Sequence, residues 1–283
     1  YSVYGVTGQK GNSLREWAAL GRLAPSLGLE ACGDPEKDRY PFSVKPDAKI
    51  GVRDLASLMR DHYQGTKFDV TEHPAFDLQG KKSPLASPFG SAQLFNLTGV
   101  APQRCIGSPT SGYVYISQIR DRLPAPISGC MWCTLGPSFT GCFAPIYCGA
   151  TEITPSWSRV PNFTRIDRTQ VQWKFQLVED LSGLRYQEAI GDVSSVFGPA
   201  EEHFLKIQPQ FEAAAQRVLQ EHGPARAEEF VTEYCNACLE GVDEAYGQLV
   251  DYLTLKYLYS YSRSAPPDLP RVGSPSLPKM PDG

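Results

Sequence analysis

Histidine is scarce in this chain: 283 residues hold four, at positions 62, 73, 203 and 222. No pair among His62, His73, His203 and His222 has the helix or strand spacing that aims two imidazoles at one ion, so no metal site is expected. Positive charge is not in excess either. With a net charge of -4 and a pI near 5.7, the chain lacks the basic surface that draws in phosphate backbones, and nucleic acid is not an expected partner. A glycine-rich phosphate loop is missing, and no cofactor is expected. The opening YSVYGVTGQK has no basic region followed by an apolar run, so no signal peptide is visible, although a processed chain leaves its precursor open. There is no internal repeat and no heptad run.

Formal charge is also missing from Leu123 to Thr151, a length that raises the question of a membrane helix. Pro124, Pro126, Pro137 and Pro145, with Gly129, Gly136, Gly141 and Gly149, would break such a helix repeatedly. The same residues punctuate short strands, so a buried sheet is expected and no membrane span.

What is present suffices for a full core in one large domain or two small ones. Eight cysteines are scattered but compatible with disulfides. Asn96-Leu97-Thr98 and Asn162-Phe163-Thr164 both satisfy the N-glycosylation pattern. These place a secreted or organelle-lumen location ahead of a cytoplasmic one.

Along the chain, Asn12-Ser13 caps a helix with Trp17, Leu20 and Leu23 at helical spacing, stopped by Pro25 and packed on the sheet. Val52, Leu55, Leu58 and Met59 predict a second helix ending at Gly65. Residues 71–102, rich in Pro, Gly and Ser, read as a long loop. Strands are predicted at 104–108, 113–120, 127–135 and 142–148. In the second, Tyr113, Tyr115 and Ile119 share one face and Val114 and Ile116 the other, which predicts a strand in the middle of a layered structure. Trp132, Phe143 and Tyr147 read as core.

A helical stripe returns at Val171, Phe175, Val178 and Leu181 within 167–190. Two further helices are predicted at 199–221 and 225–259, the last with Phe230, Tyr234, Cys238, Val242, Tyr246, Leu249 and Leu253 on one side. Prolines keep residues 264–283 out of regular structure, and such a tail is expected to be held against its own domain or a neighbouring chain. Cys130 and Cys133 imitate a metal or redox pair, but strand geometry points them to opposite faces. Cys235 and Cys238, one helical turn apart, read as buried packing.

Several blocks are similar, in order, to the secernin and bacterial dipeptidase A family of N-terminal-nucleophile cysteine peptidases. They are FSVKPDAKIGVRDLASLMRDHYQGTKFD, SPFGSAQLF, RCIGSPTSGYVYISQIRDRLP and CMWCTLGPSFTGCFAPIYCGATEITPSW. The departures are Cys130, Cys133, Cys142 and a C-terminal extension. The resemblance implies an α+β fold, a four-layer αββα hydrolase sandwich that is incomplete in this chain and followed by C-terminal helices. It divides the chain into 1–202, the C-terminal portion of the hydrolase domain, 203–263, a helical extension, and 264–283, the tail.

The implied reaction is dipeptide hydrolysis by a cysteine at the start of the mature polypeptide. Position 1 here is Tyr1, so the expected partners are a companion segment or chain carrying that cysteine and a peptide substrate, with a homo-oligomer left open. An unblocked dipeptide also needs a cation and an anion in a dehydrated pocket. Arg104, at the start of the matching strand block, is the first candidate for a substrate or oxyanion contact, against an ordinary ion pair.

Thr110 and Ser111 sit in a turn where their hydroxyls either donate to substrate or cap the turn. Arg120 shares a strand side with Gln118 and can stand in for Arg104. Asp61 can bind an ammonium with His62 at the same cleft, or the two are structural. Glu152 either caps a strand or reaches the site. The alternative to an enzyme is a catalytically silent relative that serves structure or assembly.

Overall fold

The computed structural model describes residues 10–31, 40–90, 92–101, 104–258 and 268–281, divided between two units, Tyr1–Pro109 and Thr110–Gly283. Tyr1, Cys32, Tyr259 and residues 264–267 of the tail lie outside the described residues.

In the first unit, helix α1 (Lys10–Leu23) starts before the expected Asn12-Ser13 cap. Its buried side is Leu14 and Ala18 with the predicted Trp17 half-buried, packed on Tyr63 and Cys105, while the predicted Leu20 and Leu23 are only partly buried. The Trp17 indole N–H donates to the Leu29 carbonyl at 2.8 Å. Helix α2 (Val52–Met59) opens with the Asp54 carboxylate accepting the Gly51 N–H at 2.8 Å, a contact that satisfies one donor of the first turn. It stops short of the predicted Gly65 because Asp61 Oδ1 takes the Tyr63 N–H at 2.8 Å. Tyr63 itself has φ 65°, so the chain leaves the helical path there.

The strand predicted at 104–108 does not form. Gly107 N–H donates to the Asp61 carbonyl at 2.8 Å, and a Cβ at Gly107 would stand 3.2 Å from backbone atoms of Met59 and Arg60. This segment therefore packs on the exit of α2 instead of joining a ladder. The expected loop at 71–102 contains two 3₁₀ turns, Val70–Glu72 and Pro74–Phe76, and helix α3 (Ala92–Thr98). Phe76, Ala86, Phe95 and Val100 give it a small core of its own.

The second unit holds one antiparallel sheet of β1 (Tyr113–Ile119), β2 (Gly129–Leu135) and β3 (Ala144–Tyr147), in that order. A short helix α4 (Ala125–Ser128) joins β1 to β2. Tyr115 faces Cys133, and Trp132 faces both Ile116 and Pro145. Residues 123–151 thus form two short strands, as predicted, preceded by one helical turn that takes Ile127 out of the first, and no described helix is long and apolar enough to cross a membrane. Trp132, Phe143 and Tyr147 are buried.

After the sheet come α5 (Pro155–Ser158), α6 (Val171–Gly183), α7 (Tyr186–His222) and α8 (Pro224–Leu253), the last continued by a π turn, Thr254–Leu258. Helix α7 runs through Pro199 and Pro209, although the sequence predicted a fresh start at Pro199. Each proline forfeits an i→i−4 hydrogen bond. Burial of Val193, Val196, Phe204, Phe211 and Val218 along one side offsets that loss. The predicted stripe of α8 from Phe230 to Leu253 is buried.

The face of the sheet bearing Cys130, Trp132 and Tyr147 meets α7 and α8: the Tyr147 hydroxyl donates to Glu212 at 2.9 Å and its N–H to Cys235 Sγ at 3.3 Å. The opposite face is exposed along β1 and at Met131, while Cys133 and Ala144 on it are buried. Tyr113, Tyr115, Ile119 and Met131 are exposed on it, with the two tyrosine rings stacked at 6.2 Å. The prediction that β1 lies in the middle of a layered structure is corrected: it is an outer strand with one bare face. One sheet, not two, is found among the described residues. The tail segment lies against its own unit, with Pro270 buried and Val272 and Gly273 so near α8 that a Cβ at Gly241 would touch them.

Candidate functional site

The last turn of α1 and the turn that follows α2 enclose a pocket of about 300 Å³ within the first unit. Trp17, Ala18, Pro25, Leu29 and Tyr63 form its apolar wall, and Arg22, Asp61 and Gln64 supply the polar groups. Asp61 is fully buried. Its Oδ1 is fixed by the Tyr63 N–H, while Oδ2 faces the Arg22 guanidinium as an ion pair. The Arg22 side chain is 40% exposed against 1% for that of Asp61, so the carboxylate is the fixed member and the guanidinium the adjustable one. Burial pulls the Arg22 guanidinium below its ordinary pKa.

His62 does not line this pocket. Its Nδ1 lies 2.6 Å from Gln64 Oε1, which does, and its ring stacks on Phe89 at 5.9 Å. Burial lowers the His62 pKa, Asp69 opposes that shift and Arg22 adds to it, so the neutral imidazole is favoured. The Arg104 side chain is exposed, outside any strand and outside the pocket lining. Its carbonyl accepts the Tyr63 hydroxyl at 2.7 Å, so the backbone of Arg104 holds a pocket wall in place.

The remaining candidates for substrate contact belong to the second unit. Arg120 is buried, its Nη1 2.6 Å from Glu212 and its Nη2 donating to the Ile127 carbonyl at 3.0 Å, which is the arrangement of a structural ion pair. Thr110 and Ser111 fall in the turn before β1, and Glu152 is exposed, its carbonyl accepting from Asn236 at 3.2 Å. Asn96 and Asn162 are both exposed. Arg22 escaped the sequence reading, because a basic residue in the last turn of a helix is an ordinary complement to the helix dipole.

The seven described cysteines are free thiols, so none of the expected disulfides joins them. Burial pushes Cys105 and Cys133 up to about 11 and Cys235 to about 12, and holds Cys130 and Cys238 well above their ordinary value. Such thiols are poor nucleophiles at neutral pH. Cys148 is exposed, and its thiol donates to the Ala125 carbonyl at 3.0 Å. Among the described residues no three His, Cys, Asp or Glu side chains converge as a metal set.

Residues 2–197 match the model of a family described as "Peptidase family C69". Among curated proteins, "Dipeptidase A" of Lactobacillus helveticus is 24% identical over 195 residues, which is 68% of this chain and 33% of that protein. "Probable dipeptidase B" of Lactococcus lactis subsp. lactis (strain IL1403) is 23% identical over 145 residues, covering 50% of this chain and 25% of its own length. "Probable dipeptidase" of Latilactobacillus sakei is 24% identical over 151 residues, covering 53% and 26%. The chain thus matches a third or less of the length of these relatives.

Proposed function

Because the chain belongs to Peptidase family C69, we propose that it is part of a dipeptidase-type hydrolase that cleaves unblocked dipeptides, with the attacking cysteine carried by sequence outside these residues. The observation that carries the reading is the family match over 2–197, together with relatives named as dipeptidases. Two physical features support the finer points. The buried thiols are ill suited to attack, which favours a nucleophile from elsewhere. The bare apolar face at Tyr113, Tyr115, Ile119 and Met131 has the character of a surface awaiting a second layer. A second sheet supplied by the remainder of a longer protein would complete the four-layer αββα arrangement. The exposed acceptors Asn96 and Asn162 support a secretory route.

In the proposed reaction a cysteine thiolate attacks the peptide carbonyl, the amine leaves, and water releases the acyl group. The test is hydrolysis of leucyl-glycine by the purified full-length protein before and after iodoacetamide, with N-terminal sequencing of every polypeptide present. Thiol-dependent turnover and a chain beginning with cysteine are expected. A mature start without a nucleophilic side chain, and no turnover, would leave the silent structural relative as the better reading.

A further inference from the structure

The pocket of the first unit contains two opposite charges that differ in how they are held. Asp61 is fully buried, anchored through Oδ1, and its Oδ2 is held by the Arg22 guanidinium. Arg22 is its counter-ion but sits at the mouth, 40% exposed, at the end of a helix and on a flexible stem. We propose that this pocket receives one zwitterion, a molecule with a free α-ammonium and a free carboxylate, which inserts between the two. The ammonium docks on Asp61 Oδ2, the carboxylate on the displaced Arg22 guanidinium, and an apolar side chain on Trp17, Leu29 and Tyr63. This rests on the dipeptidase reading and deepens it, since both the substrate and the amino acid product of that reaction carry these ends.

Charge balance selects the ligand class. A lone anion would pull Arg22 away and leave Asp61 buried without a counter-charge, and a lone cation would strand Arg22; breaking such a pair from one side is strongly unfavourable. A zwitterion replaces one ion pair with two and leaves no charge unmatched. The volume of about 300 Å³ suits a molecule of one or two residues, at the small end of ligand pockets. The fixed carboxylate and the adjustable guanidinium set the ammonium in one place and let the distance to the carboxylate vary.

The experiment is calorimetric titration of the full-length protein, alkylated with iodoacetamide so that no probe is consumed. The probes are leucine, leucyl-glycine, leucinamide and N-acetyl-leucine. At least one zwitterion should bind, and each one-charge analogue should bind at least about tenfold more weakly, a difference of about 1.4 kcal/mol. Leucine binding above leucyl-glycine assigns a product site, and the reverse a substrate site; both orders support the proposal. Arg22→Gln should erase the preference for leucine over leucinamide and keep the preference over N-acetyl-leucine. Asp61→Asn, which retains an oxygen for the Tyr63 N–H, should do the opposite.

The proposal is overturned if neither zwitterion binds, if the analogues bind as well as leucine, or if Arg22→Gln leaves the selectivity intact. Should Asp61→Asn fail to fold, the half-exposed Arg22 variant decides alone. Selective binding without any peptide hydrolysis would retain this site and reject the dipeptidase reading. Hydrolysis without charge selectivity would do the reverse.

Discussion

Glu212→Leu removes the carboxylate that faces the buried Arg120 guanidinium. The two side chains are 8% and 10% exposed, and Nη1 and Oε1 lie 2.6 Å apart. The same oxygen accepts the Tyr147 hydroxyl at 2.9 Å, and Gln208 Nε2 bridges Tyr147 to Gln118 at 3.2 and 2.8 Å. Arg120 Nε has no partner, so the guanidinium has little in reserve once the carboxylate is gone. Breaking a buried pair from one side costs about 3–5 kcal/mol.

For a unit of this size each kcal/mol moves the melting midpoint by about 2–4 °C, which gives a fall of roughly 6–20 °C. The assay is urea and thermal unfolding, with hydrogen exchange of peptides from α7 to assign the transition to the second unit. Arg120→Met combined with Glu212→Leu removes both charges and should regain most of the loss, because no buried charge is then left unmatched. A loss below about 1 kcal/mol for the single change, or a double variant as weak as the single one, would refute the assignment of the effect to unmatched charge.

Burial, with Asp180 as the second cause, raises Glu179 to about 7. The fold favours its protonated form, so its stabilising contribution is complete below the ordinary carboxyl value and is lost as pH rises through about 7. Glu179→Gln should therefore raise the urea midpoint at pH 8 and change little at pH 4. The lowered pKa of His62 works in the other direction: its contribution is present above the ordinary imidazole value and is lost as pH falls through the folded value. Its ring protons should accordingly titrate by NMR with a midpoint below about 6.5. Of the seven described thiols, native-state alkylation followed by peptide mass mapping should modify Cys148 first, and equal labelling of Cys235 would contradict the burial described. A Cβ at Gly241 would lie 3.3 Å from the Gly273 carbonyl oxygen and 3.5 Å from Val272. Gly241→Val should thus loosen the tail and speed tryptic cleavage at Arg271, whereas unchanged cleavage would show that the contact does not hold it.

The elements that could be read from sequence were those whose burial follows a simple period. Phe230, Tyr234, Cys238 and Val242 sit on one side of α8 because helical spacing alone puts them there. Prolines and glycines located β2 and β3 by ruling out a long helix between Leu123 and Thr151. The failures share a different origin. Helix α2 was drawn too long because its end depends on the Asp61 side chain capturing the Tyr63 N–H, a local competition that apolar spacing does not register.

Arg104 to Ser108 looks like a strand by composition, yet its backbone is taken up by the exit of α2. Of the candidate site residues, Asp61 was legible and does line a pocket. Its partner Arg22 was not, because the two are brought together by the packing of α1 on the Tyr63 turn and not by any spacing between them. Arg120, a stand-in for Arg104 by its strand position, is instead buried against a carboxylate from a helix far along the chain, which no local spacing reveals.

The prolines at 199 and 209 also say something about the order in which the second unit assembles. Each costs about 3 kcal/mol in a helix interior, so the segment from Tyr186 to His222 has little tendency to coil on its own in water. Only when Phe204 and Phe211 find the sheet and α8 is that loss recovered. Helix α7 is therefore expected to form after the uninterrupted α8, and pulse-labelling hydrogen exchange that protects α7 ahead of α8 would contradict this order.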